Sequence, residues 1–189
     1  TLNDVELESR LSLSKSVYHS FWKATNIETR IRYISKVKEA LHKDKMKFAE
    51  LITLEMGKPI SQSLAEIQKC IFLCEYYALN AKAFLEDKLI ETPASKSYVT
   101  CQPLGAVFGI MPWNFPFWQV FRFSVPALLA GNVILLKHAP NVPQCALEIE
   151  KIFEIAIGEK GVFQSLFIEI DQVEKVIASE IVQGVTLTG

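Results

Sequence analysis

The sequence predicts an α/β fold in which N-terminal helices lead into the first part of a parallel, doubly wound sheet. Three observations predict it. Residues 3–85 carry apolar side chains at helical spacing, residues 104–189 alternate short apolar runs with amphipathic stretches, and 50% of the 189 residues are apolar. Such a chain has ample material for a core, and repeated strand–helix–strand order calls for parallel crossovers.

Each element follows from its pattern. Residues 3–24 and 29–52 read as amphipathic helices, the second with Ile31, Ile34, Val37, Leu41, Phe48 and Leu51 near one face. Gly57 and Pro59 stop it, the glycine as a C-terminal cap and the proline as a residue that cannot extend the turn. A third helix follows, with a core stripe of Ile60, Leu64, Ile67, Ile71, Cys74, Ala78, Ala81 and Leu85. Residues 97–102, partly alternating and containing Cys101, read as a strand with an exposed edge. Strands are then expected near 105–111, 132–138, 162–169 and 184–188, with helices near 117–130, 142–157 and 171–180. Gly109 marks close packing and Gly131 a helix stop; no G-x-G-x-x-G follows the strand at 105–111.

Composition bounds the partners. The net charge is −1 and no Lys/Arg block is present, so neither nucleic acid nor an anionic membrane surface is expected as a partner. Residues 104–136 are long and apolar but contain Asn114, Arg122, Asn132 and prolines 112, 116 and 126, which argue against a membrane span. Four cysteines without a disulfide framework point to small buried thiols in a reducing, cytoplasmic compartment. No charged start with an apolar core marks a signal peptide; the chain opens on Thr1, which leaves a removed leader open. His19 and His42 stand alone without a third ligand at metal spacing, so no metal site is expected. His138 beside Lys137 could touch a cofactor, but its side chain should point to the opposite sheet face and serve in packing or a surface hydrogen bond.

The run Pro112-Trp113-Asn114-Phe115-Pro116, with Arg122 eight residues past the asparagine and Lys137 ending the next apolar stretch, carries the functional signal. Burying an amide, a guanidinium and an ammonium costs several kcal/mol each unless partnered, which points to a site. An asparagine amide held between two prolines suits a developing oxyanion, where one preorganised donor contributes about 3 kcal/mol. The arginine can fork onto a carboxylate. A lysine at a strand's C-terminal end can reach ribose hydroxyls or a phosphate. Together these suggest a nucleotide, a carbonyl and an acid.

These residues resemble the NAD(P)-dependent aldehyde dehydrogenases. The resemblance rests on T-L-E-M-G-K-P at 53–59, P-L-G-A-V-F-G-I-M-P-W-N-F-P at 103–116, P-A-L-L-A-G-N-V-I-L-L-K-H-A-P-N-V-P at 126–143 and the closing T-L-T-G. F-W-Q-V-F-R-F with K-H-A-P-N-V-P is most similar to the succinate-semialdehyde dehydrogenase branch. The resemblance implies a Rossmann-like sheet preceded by a strand that joins an oligomerisation sheet. It divides the chain into a helical portion at 1–95, an oligomerisation strand segment at 96–103 and the first part of the cofactor sheet at 104–189, with no catalytic domain in these residues.

By position, the resemblance makes Asn114 the side-chain half of an oxyanion hole. Ile110, Met111, Pro112 and Trp113 would line the cofactor groove, Lys137 would bond the adenosine ribose, and Gly189 would be a further cofactor-binding residue. Arg122 would hold the substrate carboxylate, with Phe115 and Trp118 as the apolar wall of the aldehyde channel. Pro140 stands where NAD-preferring relatives carry a ribose-binding Glu, so either NAD or NADP is expected. Phe167–Asp171 runs almost directly into a helix where relatives often carry a Gly-rich cofactor loop. The family's nucleophilic Cys and general-base Glu lie downstream of the T-G pair, and none of the four cysteines has the nucleophile's context. Residues 1–189 alone are therefore expected not to oxidise an aldehyde, and a non-catalytic nucleotide-binding or oligomerisation module is the alternative. The expected partners are a small aldehyde and further copies of the chain.

Overall fold

A computed structural model describes residues 1–189. Helices α1 (Asp4–Val17), α2 (Ile27–Lys43), α3 (Lys45–Met56) and α4 (Ile60–Leu85) precede the sheet. Strands β1 (Lys88–Leu89) and β2 (Tyr98–Val99) form an antiparallel ribbon. Strands β3 (Ala106–Met111), β4 (Val133–His138), β5 (Phe163–Ser165) and β6 (Val182–Leu187) form a parallel sheet in the order β5-β4-β3-β6. Helices α5 (Trp118–Leu129), α6 (Pro143–Ile157) and α7 (Ile170–Ala178) make the crossovers.

The core strands are apolar because both faces are covered. Val133 to Leu136 are wholly buried, as expected of a central parallel strand. Helices α5 and α6 cover one face, with α2, α3 and α4 packed outside them, while α1 and α7 lie against the other. Phe121 and Phe153 join α5 to α6, and the Phe153 ring stacks on Phe163 of β5 at 4.6 Å. After β5 the chain returns to the far side of β3, so the direction of winding reverses between β3 and β6. A crevice at the C-terminal ends of the strands is the consequence.

The elements depart from the sequence expectations in four places. The first helix ends at Val17 and continues as a π-helical turn, Tyr18–Trp22, where Trp22 stacks on Tyr33. The span 29–52 is two helices, because Asp44 leaves helical geometry (φ −105°, ψ 24°) and lets α2 and α3 bury separate stripes. Pairing on the edge strand expected at 162–169 stops just after Ser165, since β5 has only β4 as a neighbour. The strand expected at 97–102 is paired only at Tyr98 and Val99, against a partner at 88–89 that the sequence did not predict, and Cys101 lies outside it and is exposed. The other three cysteines are buried. Gly57 caps α3 in left-handed geometry (φ 81°) and Gly131 ends α5 at φ 96°. No helix is long and apolar enough to cross a membrane.

Candidate functional site

The C-terminal ends of β3, β4 and β6 meet in register: Ile110 lies beside Lys137 on one side and Leu187 on the other. A cavity of about 220 Å³ at this edge is lined by Ile110, Met111, Pro112, Lys137, His138, Leu187 and Gly189, among others. Across Lys137 a second cavity of about 260 Å³ is bounded by Pro140, Pro143, Ser165, Leu166 and Ile168, among others. The predicted residues Ile110, Met111, Pro112, Lys137, Pro140 and Gly189 thus converge on two adjoining spaces. Lys137 is half-buried, and beyond its place in the β4 ladder its ammonium has no ion-pair or hydrogen-bond partner in the protein. A larger cavity, about 660 Å³, lies at the opposite edge of the sheet, lined by Lys23, Arg30, Lys82, Cys101 and Pro103 among others. Open α/β sheets bind ligands at the carboxyl edge, so the smaller pair of spaces is the better candidate.

The loop from Pro112 to Pro116 leaves β3 and enters α5. Asn114, Trp113 and Phe115 are exposed on it, as is Arg122 one turn into α5, while Trp118 is half-buried. The desolvation argument made from the sequence therefore does not hold: the apolar run packs its own side chains inward and leaves these polar groups on an open face. Arg122 donates one hydrogen bond, to Thr188 Oγ1 at 3.2 Å, which brings α5 against the end of β6. Asn114, Phe115, Trp118 and Arg122 do not line either cavity of the carboxyl edge.

Three anchors hold this edge, and the sequence reading missed two of them, Glu66 and Glu55. The Phe117 and Trp118 N–H groups donate to Glu66 Oε1 at 2.9 and 3.0 Å. The Gln144 and Cys145 N–H groups donate to the two oxygens of Glu55, each at 2.8 Å. Carboxylates from α3 and α4 therefore fill the positive N-termini of both α5 and α6, leaving neither free for a phosphate. The third anchor is His138, whose Nδ1 accepts from the Ala139 N–H at 2.8 Å and whose Nε2 donates to the Pro116 carbonyl at 2.9 Å. Burial holds its pKa below the ordinary imidazole value, so the ring is neutral. Expected in packing or a surface hydrogen bond, His138 instead makes a buried one that ties β4 to the loop. A signal for Glu66 was present: it is a carboxylate on the apolar stripe of α4, between Ser63 and Cys70.

None of the four thiols stands beside Asn114 as an activated nucleophile. Burial pushes Cys70 and Cys145 well up and Cys74 to about 12, while Cys101 lies before β3 at the far edge. No group of three His, Cys, Asp or Glu side chains could hold a metal ion.

A doubly wound sheet with an open carboxyl edge and a lysine at the end of its second strand defines a nucleotide-binding class of α/β protein. The chain belongs to the aldehyde dehydrogenase family, whose sequence model matches residues 4–189. It is 45% identical over 187 residues to a probable NADP+ succinate-semialdehyde dehydrogenase of Synechocystis, covering 99% of this chain and 41% of that protein. An NAD(P)+ succinate semialdehyde dehydrogenase of Escherichia coli is 39% identical, with 97% of this chain and 40% of that protein covered. The chain thus spans about 40% of the length of the curated relatives it matches. Among solved structures, the succinic semialdehyde dehydrogenase of Streptococcus pyogenes, in complex with NADP+, superposes with a TM-score of 0.96 at 34% identity, over 100% of this chain and 42% of its own.

Proposed function

We propose that residues 1–189 form the cofactor-binding first part of an aldehyde dehydrogenase that oxidises succinate semialdehyde to the dicarboxylate with NADP+ or NAD+. The observation that carries the proposal is the continuity of the cavity around Lys137, which Pro112 lines, with the anchored loop that exposes Asn114 two residues later and with Arg122 exposed on the helix that follows. The similarity to succinate-semialdehyde dehydrogenases supports the choice of substrate.

The residues fit a dinucleotide. Lys137 offers an unpaired ammonium between two cavities with apolar walls, which suits ribose hydroxyls or a 2′-phosphate with an adenine nearby. Pro140 brings no charge to that place, so a 2′-phosphate meets no repulsion from it. The occupied N-termini of α5 and α6 place pyrophosphate elsewhere than on those helices. When bound, the nicotinamide supplies a hydride acceptor. Ile110, Met111, Pro112 and Trp113 would line the cofactor groove through main-chain and apolar groups, with Gly189 a further cofactor-binding residue.

On the substrate side, the Asn114 amide donates to the aldehyde oxygen as negative charge develops there. Arg122 pairs with the distal carboxylate, and Phe115 and Trp118 form the apolar wall of the channel. The thiolate that attacks the carbonyl and the base that activates water come from outside these residues, in keeping with the buried or distant cysteines. Residues 1–95 serve as the helical portion of the cofactor domain, residues 96–103 as the oligomerisation segment and residues 104–189 as the first part of the cofactor sheet. Exposed Leu89, Tyr98 and Val99 on the ribbon favour pairing with further copies. The buried thiols suit a reducing cytoplasm.

The test is steady-state oxidation of succinate semialdehyde by the whole enzyme and its Asn114→Ala variant. A loss of about 10²–10³ in kcat with the cofactor KM retained supports the assignment. Wild-type kcat in the variant removes it.

A further inference from the structure

The charged pair Lys58–Glu66 has a place in the fold that stability alone does not explain. Lys58 follows the left-handed Gly57 and turns inward; Glu66 lies on α4 between buried Ser63, Ile67 and Cys70. Their side chains are 7% and 0% exposed and form an ion pair with a direct hydrogen bond. A buried pair of this kind is on average no more stabilising than apolar residues of similar volume.

Both members reach past each other to the loop. The Lys58 ammonium sits 4.0 Å from the centroid of the Phe115 ring. Glu66 takes the Phe117 and Trp118 N–H groups on its other oxygen, and α5 has no capping side chain of its own. The residues on either side of Pro116 are thereby gripped by one pair, Lys58 from the turn before α4 and Glu66 from α4 itself, and Pro116 by His138. Asn114 immediately precedes this clamped segment. The charge-assisted bonds hold it more tightly than neutral ones would.

We propose that Lys58 and Glu66 are positioning residues that fix the Pro112–Pro116 loop, so that the Asn114 amide is aimed before substrate arrives. The proposal rests on the reading of Asn114 as the oxyanion donor. A donor displaced by about 1 Å can lose 10²-fold in rate, so a modest loosening of the loop has a measurable effect.

A double-mutant cycle in the whole enzyme tests it, with succinate semialdehyde and NADP+. Glu66→Gln keeps an oxygen for the two N–H groups and removes the ion pair. In the Asn114 background it is expected to lower kcat about tenfold or more, with the KM for NADP+ within twofold. In the Asn114→Ala background the same change is expected to lower kcat less than twofold, because the group it aims is gone. Multiplying losses in the two backgrounds, or an unchanged kcat in folded Glu66→Gln, overturns the proposal. If Glu66→Gln does not fold, Lys58→Met carries the same cycle, with Lys58→Arg expected to restore most of the rate. The two readings fail differently. An Asn114→Ala enzyme with wild-type kcat removes the oxyanion reading and this proposal together; a collapsed kcat on which Glu66→Gln multiplies removes only the positioning role.

Discussion

His138 Nε2 lies 2.9 Å from the Pro116 carbonyl oxygen, so the last residue of β4 is tied to the loop that follows β3. Both groups are buried. His138→Ala leaves that carbonyl without a partner, and a loss of roughly 1–3 kcal/mol in unfolding free energy is expected.

The same histidine gives stability a pH dependence. Its folded pKa is held below the ordinary value by burial, so the unfolded chain takes up the proton first as pH falls. Its contribution is full above about pH 6.5, the unfolded value, and is lost as pH falls through that value towards the folded pKa. Thermal midpoints of the native protein and His138→Gln, compared at pH 7.5 and 5.5, should differ more at the higher pH. Equal differences at both would contradict the burial of a neutral ring.

Gly109 is required by close approach, since a Cβ there would lie 2.3 Å from Cζ of the Phe123 ring. Gly109→Ala should cost roughly 1–3 kcal/mol through displacement of α5 from β3. Adding Phe123→Leu should recover part of that loss, read as the midpoint of denaturant unfolding.

Of the four cysteines, Cys101 alone is exposed. A thiol reagent should modify it first in the folded protein, and Cys101→Ser should remove the rapid phase. Cys70, Cys74 and Cys145 are protected by burial and raised thiol pKa and should react only on unfolding. Rapid modification of any of these three would place the core incorrectly.

Pro140 stands at the rim of the cavity beside Lys137, and on the proposed reading this position governs cofactor choice. Pro140→Glu should lower kcat/KM for NADP+ about 10- to 100-fold through like-charge repulsion with the 2′-phosphate, while leaving NAD+ use within a few-fold. Equal effects on both cofactors would mean that position 140 does not face the ribose.

Periodicity made most of this fold legible. The stripe of α4, the apolar run of β4 and the stop at Gly57 follow from local rules, and local rules act over a few residues. The break at Asp44 was not legible, because the apolar positions stay nearly in phase across it and only the backbone turns. The Pro112–Pro116 run was singled out for burial of its polar groups, and that reason failed, since Asn114 and Arg122 are exposed. What holds that loop was missed because its partners are main-chain groups far along the sequence. Glu66 meets amides 51 and 52 residues on, and His138 a carbonyl 22 residues back. Side-chain identity signals such bonds only indirectly, as a charge on an apolar face.

The most direct measurement concerns Arg122, exposed on α5 with one bond to Thr188. In the whole enzyme, kcat/KM for succinate semialdehyde and for butanal should be compared before and after Arg122→Ala. Loss of a charge-assisted pair predicts a rise of about tenfold or more in KM for the semialdehyde and little change for butanal, so that selectivity between them collapses. Unchanged selectivity would contradict the assignment of this face to a dicarboxylic semialdehyde.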